Sequence, residues 1–553
     1  MISSYEKVQT KIPLLTTNRA GWLLLILTTL YIAYFSHLGA IGLIGPDEPR
    51  YAWGARAMVE SGDWITPRLY GKAWFEKPVL YYWGAALGFK VFGVSEAAAR
   101  LPSALCALLA TLMLAWLAWR IYSAETARWL LLLLPTTVGM MGFSHAASPD
   151  MPFSAMLMVS MVAAAVLLEL VPWRQQRARS PLLWAILFGL SLGLAVLAKG
   201  PAALILCGGA VFSWMLFSKR RGGAYRLLHP AAMIAFCVTA LPWYVLCARR
   251  NPDFLRVFII EHNFRRYLTP EFQHVQPFWF YLPVLSAALL PWTLGFFACL
   301  WPTERATDRV PQRSQTDLLL LSFGLFPLLF FTLSQSKLPG YVLPAVAPLA
   351  LFFSARLTMF FQNHAPRRKL IGLLFALPLM AMAVGAQRLA WRGVHGADLI
   401  PRPYTWSVWL PLVAAAVLCA AAAILNRSAG AVSLAQAGTI LAFLGLGGAL
   451  MSMDGRISAR GALQMTGVHF DSIPADMLFV NDLSRGIHYG LNFYLHREIP
   501  PWPGSGGARG WVFTSVRSQH KLIEAGFSCQ QHPFPPAAIL CSASPLPNSL
   551  SFP

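Results

Sequence analysis

Residues 21–51 read GWLLLILTTLYIAYFSHLGAIGLIGPDEPRY, an apolar run that turns abruptly polar. The apolar part, residues 21–44, is long enough to cross the hydrocarbon core of a bilayer, which takes about 20 residues. One glycine and two prolines then interrupt the helix and leave Asp47, Glu48 and Arg50 at the membrane edge. The stretch therefore predicts a transmembrane helix that ends in a charged site at one membrane face.

The rest of the chain repeats the apolar part of this pattern. Of 553 residues, 56% are hydrophobic and only 12% are charged, whereas a soluble protein carries about a quarter charged residues. The net charge is +21, but the basic residues lie in short tracts between apolar blocks, as in membrane proteins that are oriented by Lys and Arg. No basic stripe or reader motif indicates nucleic-acid binding. The composition predicts an α-helical polytopic membrane protein that is surrounded by membrane lipids.

The basic tracts also predict the topology, because tracts on the cytoplasmic side must be separated by an even number of crossings. The number of crossings between the tracts is even if the short run 79–94 is an interfacial or re-entrant helix and not a span. This run contains Lys90 and three glycines. About 13 transmembrane helices follow, with a cytoplasmic N-terminus. The tracts lie at 7–19, 120–128, 174–179, 219–226, 305–313, 367–369 and 427, and the clearest further apolar blocks are 97–119, 230–248, 277–300, 317–333, 341–360, 370–387, 405–425 and 433–452.

Two domains are expected. Residues 1–453 form the transmembrane domain, whose first periplasmic loop is 45–96. Residues 454–553 contain short mixed runs punctuated by Gly and Pro, a pattern that indicates a small periplasmic α/β domain. Cys529 and Cys541 lie in this tail and are candidates for a disulfide in an oxidising compartment.

Two carboxylates from separate outer loops are candidate catalytic groups. Asp47 follows the first helix, and Asp150 lies in SHAASPD, which joins two apolar helices. A bland interpretation is that Asp47 pairs with Arg50 and that Asp150 caps a helix. The topology places both carboxylates on one face, however, and glycosyl chemistry uses such a pair.

The predicted outer face is also cationic, against the usual bias of these residues toward the cytoplasm. Lys77 can bind a phosphate through its single charged amine, and Arg50 can bind one through two N–H donors at once. Lys199 either extends its amine to the interface or holds an anion. An anionic, phosphate-bearing membrane substrate explains this pattern. The basic residues concerned are Arg50, Lys77, Lys199, Arg265, Arg266 and Lys337.

A metal site is a weaker hypothesis. Glu76 and His262 have side chains that bind divalent ions, but nothing in the sequence shows that they meet. Tyrosines near these residues, including Tyr81, are also typical of the aromatic belt at a membrane interface. No cofactor is required by any motif in the chain.

Taken in order, these motifs resemble those of the C-type membrane glycosyltransferases, the superfamily that includes the protein O-mannosyltransferases. Within it the chain is most similar to the bacterial aminoarabinose transferases that modify lipid A. The motifs cover about the first 350 residues, and the tail carries none that can be assigned. They are GPDEPRYA at 45–52, WFEKPVLYYW at 74–83, SPDMP at 148–152, AKGP at 198–201, EHNFRRYL at 261–268 and SKLPGYVLP at 336–344.

The resemblance implies a donor, undecaprenyl phosphate carrying 4-amino-4-deoxy-L-arabinose, and lipid A phosphate as acceptor. It implies that Asp47 and Asp150 are catalytic. A phosphate acceptor is already ionised, so Asp47 is hardly needed as a base; orienting the acceptor, binding the sugar amine and stabilising an oxocarbenium-like centre stay open. The resemblance and the loop motifs together assign the donor phosphate and sugar to Arg50, Tyr51, Glu76, Lys77, Tyr81, Lys199, Arg265, Lys337 and Tyr341.

Two other functions stay open. A related polyprenyl-phosphate-dependent transferase with another sugar, or with a protein hydroxyl as acceptor, would share the same donor motifs. A lipid or solute transporter would instead place ionisable groups near the bilayer midplane in repeated halves. Here the charged motifs gather at one face and the two halves do not resemble each other, so the pattern favours the transferase.

Overall fold

Helices dominate the computed structural model. It describes residues 19–171, 181–218, 221–270, 275–298, 311–362, 368–391, 402–504, 510–532 and 536–543. The α-helices are α1 Arg19–Phe35, α2 Asp47–Ser61, α3 Leu80–Phe92, α4 Glu96–Ile121, α5 Ala124–Leu133, α6 Val138–Ser144, α7 Asp150–Leu167, α8 Pro181–Lys199, α9 Ala202–Ser218, α10 Pro230–Arg250, α11 Arg266–Leu268, α12 Tyr281–Ala288, α13 Thr293–Ala298, α14 Pro311–Thr332, α15 Leu343–Gln362, α16 Arg368–Trp391, α17 Arg402–Ile424, α18 Ser428–Ile457, α19 Ala459–Thr466, α20 Arg485–Leu495 and α21 Gln519–Glu524.

The helices confirm a multi-pass membrane protein. Among the described residues, eight helices are long and apolar enough to cross a bilayer: α4, α7, α8, α10, α14, α15, α17 and α18. Three shorter apolar helices, α1, α9 and α16, accompany them, and α5 and α6 form a pair bent by 62°. The count of 13 stays a prediction. Most of the basic tracts 7–19, 174–179 and 305–313, and most of the loop predicted at 388–404, lie outside the described residues.

The first apolar run is not a single helix, contrary to the expectation for 21–44. Helix α1 ends at Phe35, and the chain to Ile44 is irregular. The buried guanidinium of Arg100 on α4 donates to the carbonyls of Leu38, Ile41 and Gly42 at 2.8–2.9 Å. Irregular backbone is tolerated at membrane depth when protein groups satisfy it in this way. Arg100 therefore replaces the hydrogen bonds that the helix would have made.

The block 277–300, predicted as one span, is divided. Helix α12 ends at Ala288 and α13 begins at Thr293, because Pro291 lacks the N–H that would continue the helix. The break between α12 and α13 packs against the bend between α5 and α6. There the Val138 N–H donates to the Leu290 carbonyl at 2.9 Å, and the Trp292 indole donates to Thr136 at 3.1 Å. The two broken elements thus satisfy each other's polar groups.

Helix α3 occupies the short run predicted to be interfacial or re-entrant. It spans only Leu80–Phe92, which is too short for a straight crossing. Its buried side packs on α2 and α4, while Leu87, Val91 and Phe92 remain exposed. An apolar exposed side on a short helix is typical of a segment at a membrane interface.

The tail forms the expected small α/β domain. A four-stranded sheet has the order β3 Leu478–Asn481, β4 Trp511–Thr514, β6 Ile539–Ser542 and β5 Ser528–Cys529, separate from a hairpin of β1 Arg68–Leu69 and β2 Lys72–Ala73. Only the β3–β4 pair is parallel. The disulfide Cys529–Cys541, a hypothesis from sequence, is present and joins β5 to β6. Helix α18 runs to Ile457, a few residues beyond the predicted boundary at 454.

Candidate active site

The loops predicted to share one membrane face do meet at one end of the helices, which we call the loop face. Lys199 at the end of α8 pairs with Asp150 at the start of α7. The Gln335 N–H donates to the Tyr267 carbonyl at 2.9 Å, which joins the loop before α15 to the loop after α10. Five loops distant in sequence therefore contribute to one site.

A cavity of about 330 Å³ lies at the loop face, and its lining is of two kinds. Lys77, Lys199 and Arg266 supply cations. The rest is mainly apolar, and two of its side chains are well exposed, Phe264 by 54% and Leu268 by 65%. The lining thus combines cations with exposed apolar side chains, a combination that suits a lipid with an anionic head. Its remaining lining residues are Glu76, Pro201, Ala202, Ile205, Phe258, His262, Asn263, Tyr267, Phe330, Phe331, Ser334, Ser336 and Tyr341.

Glu76 lies among three basic side chains of the site. Its carboxylate lies 3.1 Å from Arg50, 3.3 Å from Lys77 and 3.5 Å from Arg266. Burial alone would raise the pKa of Glu76, but the neighbouring cations outweigh it and lower that pKa to about 2. Burial lowers the pKa of Lys77, as does the positive charge of Arg266, whereas Glu76 opposes the shift. One carboxylate faces three cations, so the cluster keeps an excess of positive charge for an anion.

Asp47 is held by Arg50, as the bland interpretation expected. The Arg50 guanidinium pairs with Asp47, donates to Glu76 and donates to the Pro46 carbonyl at 2.8 Å. Arg50 is only 7% exposed, while the Asp47 side chain is 53% exposed. The donors of Arg50 are thus taken up by protein groups, and Arg50 does not line the cavity. In this arrangement Arg50 holds two carboxylates, and its role in binding the donor phosphate stays a prediction.

Asp150 and Lys199 form the second ion pair of the site. The Ser148 hydroxyl donates to Asp150 at 3.1 Å, and the Lys199 amine lies 5.1 Å from the centre of the Tyr341 ring. Lys199 also lines the cavity. The sequence left open whether Lys199 extends to the interface or holds an anion; the anion it holds is Asp150.

Two predicted donor-site residues lie in the packing layer below the site. Tyr51 is 3% exposed, and its ring packs edge-on against Tyr81 at 5.9 Å. The Tyr81 hydroxyl donates to the Ala99 carbonyl at 2.8 Å and is turned away from the cavity lining. Tyr81 thus packs against α2 and α4, and its role in binding the donor stays a prediction.

Two predicted cations also differ from expectation. Lys337 is buried, donates to the Ser334 carbonyl at 2.6 Å and lies outside the cavity lining. Arg265 is exposed and does not line the cavity either, whereas Arg266 does and pairs with Glu76. The segment Arg256–Arg265 is a π-helix, whose wider turn changes which of two adjacent side chains faces inward. The sequence counted both arginines at this face and named Arg265 for the donor. The structure brings Arg266 into the cavity lining, and donor binding by Arg265 stays a prediction.

The donor set argues against a divalent metal at the predicted pair. Glu76 and His262 do line the same cavity. Nevertheless Glu76 already faces three cations, Arg50, Lys77 and Arg266, whose charges would repel a dication. Within the described ranges, no three His, Cys, Asp or Glu side chains come together. A dication would add to the charge that Lys77 and Arg266 already supply, so we assign no chemical step to it.

Both the sequence and the fold of this chain are similar to those of known proteins. The sequence model of the family "Dolichyl-phosphate-mannose-protein mannosyltransferase" matches residues 21–258, which include Asp47 and Asp150. The structure is similar to the crystal structure of ArnT from Cupriavidus metallidurans bound to undecaprenyl phosphate, with a TM-score of 0.71 at 22% identity, covering 97% of this chain and 100% of that one. At this identity the similarity establishes the fold.

Sequence relatives establish the family. The undecaprenyl phosphate-alpha-4-amino-4-deoxy-L-arabinose arabinosyl transferase of Edwardsiella ictaluri is 33% identical over 386 residues, or 69% of this chain and 67% of that protein. The enzyme of the same name from Pseudomonas aeruginosa strain UCBPP-PA14 is 34% identical over 339 residues, or 61% and 59%. These similarities support a glycosyltransferase and not a transporter. The chain belongs to the family of undecaprenyl phosphate-aminoarabinose arabinosyl transferases within the C-type membrane glycosyltransferases.

Proposed function

We propose that this chain transfers 4-amino-4-deoxy-L-arabinose from undecaprenyl phosphate to a phosphate of lipid A. The donor is the one in the names of its relatives. The acceptor follows from the resemblance to transferases that modify lipid A. We further propose that the loop face is periplasmic in a bacterial inner membrane, with the N-terminus in the cytoplasm and the tail domain in the periplasm. The basic tracts between the apolar blocks support this orientation.

The observation that carries the proposal is the cavity whose lining combines three cations with exposed apolar side chains. Lys77, Lys199 and Arg266 line it where a phosphate would lie. Leu268 and Phe264 are exposed at the apolar lining, where a prenyl chain would pass into the bilayer. A soluble sugar nucleotide would need polar groups along the whole cavity, and this lining does not offer them.

The proposed chemistry is substitution at the anomeric carbon of the aminosugar. The bond from this carbon to the carrier phosphate breaks, and its electron pair leaves with the phosphate oxygen. Lys77 and Arg266 stabilise the negative charge that develops there, as fixed cations in a water-poor site do most effectively. A lipid A phosphate oxygen forms the new bond. Because that oxygen is already ionised, no general base is needed.

Asp47 is proposed to face the sugar. Its pairing with Arg50 fixes the carboxylate, and 53% of its side chain remains exposed for a substrate. A fixed negative charge there stabilises the positive charge that develops on the sugar ring, and it can also bind the sugar's amine. Asp150 is proposed to act through Lys199, which it holds at the cavity lining.

The test is mass spectrometry of lipid A from cells that lack this gene, complemented with wild type, Asp47→Ala or Asp253→Ala. Asp253 is an exposed carboxylate in another loop of the same face, paired with Arg256. We expect an added aminopentose with wild type and Asp253→Ala and none with Asp47→Ala. Lipid A left unchanged by well-expressed wild type would overturn the acceptor assignment.

A second acceptor class has one observation in its favour. The family model that covers both candidate carboxylates is that of enzymes acting on proteins. A hydroxyl acceptor must lose a proton, so Asp47 would then act as a base. If wild type leaves lipid A unchanged but glycosylates a membrane protein in the same cells, this second function replaces the first.

A further inference from the structure

The tail domain touches the ion-pair network of the site through one helix. Tyr489 on α20 places its ring centre 5.4 Å from the Arg50 guanidinium carbon. The ring of Trp74, from the first outer loop, lies at 5.6 Å on the same guanidinium. Arg50 thus has its charged donors on Asp47 and Glu76 and two aromatic rings beside its plane. Such contacts restrain a guanidinium without competing for its hydrogen bonds.

The same helix also approaches the backbone next to Asp47. A Cβ atom built on Gly486 would lie 2.9 Å from the carbonyl carbon of Gly45, so only glycine fits there. Gly45 itself has a positive φ of 65°, as required by the turn that ends at α2. Helix α20 therefore rests directly on the turn that aims Asp47.

Further contacts hold α20 along α2 and the first outer loop. Arg56 donates to the Phe493 carbonyl at 3.3 Å, and Asn492 donates to the Tyr70 hydroxyl at 2.9 Å. These bonds lie beyond Tyr489 along the helix, so Tyr489 and Gly486 form the end of the docked surface that is nearest to Asp47. The placement of Tyr489 is thus a consequence of domain docking and not of a lone surface contact.

We infer that Tyr489 of the tail domain is a positioning residue of the active site: its ring holds Arg50, and through Arg50 the carboxylate of Asp47, in the geometry needed for transfer. This rests on the proposed function only through the choice of activity assay. Tyr489 does not line the cavity. Loss of its ring should therefore lower kcat and leave binding of the undecaprenyl donor almost unchanged.

The experiment compares Tyr489→Ala with Tyr489→Phe and with Ile487→Ala in the full-length protein. His488 is not used as the control because its ring stacks on that of Tyr489 at 6.0 Å; the control variant is Ile487→Ala, whose side chain lies on α20 and packs against the apolar core of the tail domain. We expect Tyr489→Ala to lower kcat on the order of tenfold, with the KM for donor changed less than about twofold. Tyr489→Phe keeps the ring and should retain near wild-type kcat, as should Ile487→Ala.

A second readout needs no substrate. Amide hydrogen exchange of residues 45–52 should become faster in Tyr489→Ala than in wild type or Tyr489→Phe, because the turn loses its restraint. Gly486→Ala should speed the same exchange independently, since its methyl group displaces α20 from Gly45. Wild type that fails to modify lipid A would defeat the proposed function but leave this exchange test intact.

Three results would overturn the inference. The first is unchanged exchange in Tyr489→Ala together with wild-type kcat. The second is equal loss in Tyr489→Phe, which would mean that the hydroxyl matters and not the ring. The third is equal loss in Ile487→Ala, which would show general loosening of α20. If Tyr489→Ala does not fold, Tyr489→Leu and Gly486→Ala provide the same comparison.

Discussion

At the residue scale, adjacent arginines have different tasks. Arg266 lines the cavity and pairs with Glu76, whereas Arg265 is exposed. We expect Arg266→Ala to lower kcat/KM by about 100-fold or more, the usual effect of removing a group that stabilises developing negative charge. The matched variant Arg265→Ala should stay within about twofold. Initial rates with purified donor measure both, and equal loss in the two variants would contradict the assignment.

The lowered pKa of Glu76 predicts that the stability of the fold depends on pH. Its pKa in the folded protein is about 2, below its ordinary value of 4.5. The lowered pKa means that Glu76 stabilises the fold fully above about pH 4.5, and that this stabilisation is lost as the pH falls toward 2. Glu76→Gln should therefore lower the Tm at pH 7, and the difference from wild type should shrink below about pH 4.5. A difference that stays constant with pH would argue against the ion-pair cluster.

At the element scale, Glu48 and Arg100 join α4 to two irregular segments. Besides its pairing with Arg100 at 2.7 Å, Glu48 accepts from the Ile44 and Ala147 N–H groups. The pair thus fixes the end of the irregular segment after α1 and the loop before α7, which lead to Asp47 and Asp150. The contacts of Glu48 itself are structural.

Removing Glu48 should destabilise the protein strongly. Glu48→Ala leaves the Arg100 guanidinium, whose side chain is 3% exposed, without its counter-charge, which costs about 3–5 kcal/mol. Asp253→Ala removes one partner of the exposed Asp253–Arg256 pair and should cost less than about 1 kcal/mol. Thermal unfolding in detergent compares the two. A similar small shift in Tm for both variants would mean that the Glu48 pair is dispensable.

At the scale of the whole molecule, the cavity has an exposed apolar residue in its lining. Leu268 lines the cavity and is 65% exposed. Leu268→Asp should raise the KM for the undecaprenyl donor about tenfold, since a leucine-sized apolar contact is worth about 1.5–3 kcal/mol. A donor with a short, water-soluble prenyl group should be almost unaffected. The control is Leu228→Asp, which changes a leucine of 68% exposure before α10. Equal effects on long and short donors would contradict a prenyl path at Leu268.

Many of the helices and strands could be predicted from the sequence. Blocks of about 20 apolar residues can satisfy their backbone in a membrane only as helices, so α4, α10, α14, α15 and α17 were predictable. The small α/β tail and the disulfide Cys529–Cys541 followed from local pattern and compartment. Grouping Asp150, Lys199 and Glu76 at one face followed from charge bias alone.

Only the tertiary structure decided which residue does what within that face. Hydropathy cannot show that α1 ends at Phe35, because the carbonyls beyond it are satisfied by Arg100 from another helix. Periodicity cannot choose between Arg265 and Arg266, because a π-helix departs from the 3.6-residue turn. The contact of Tyr489 with Arg50 joins residues more than 400 positions apart. The sequence by itself determined the membrane fold and the polar face, since bilayer physics acts on each segment separately, while long-range packing assigned the roles.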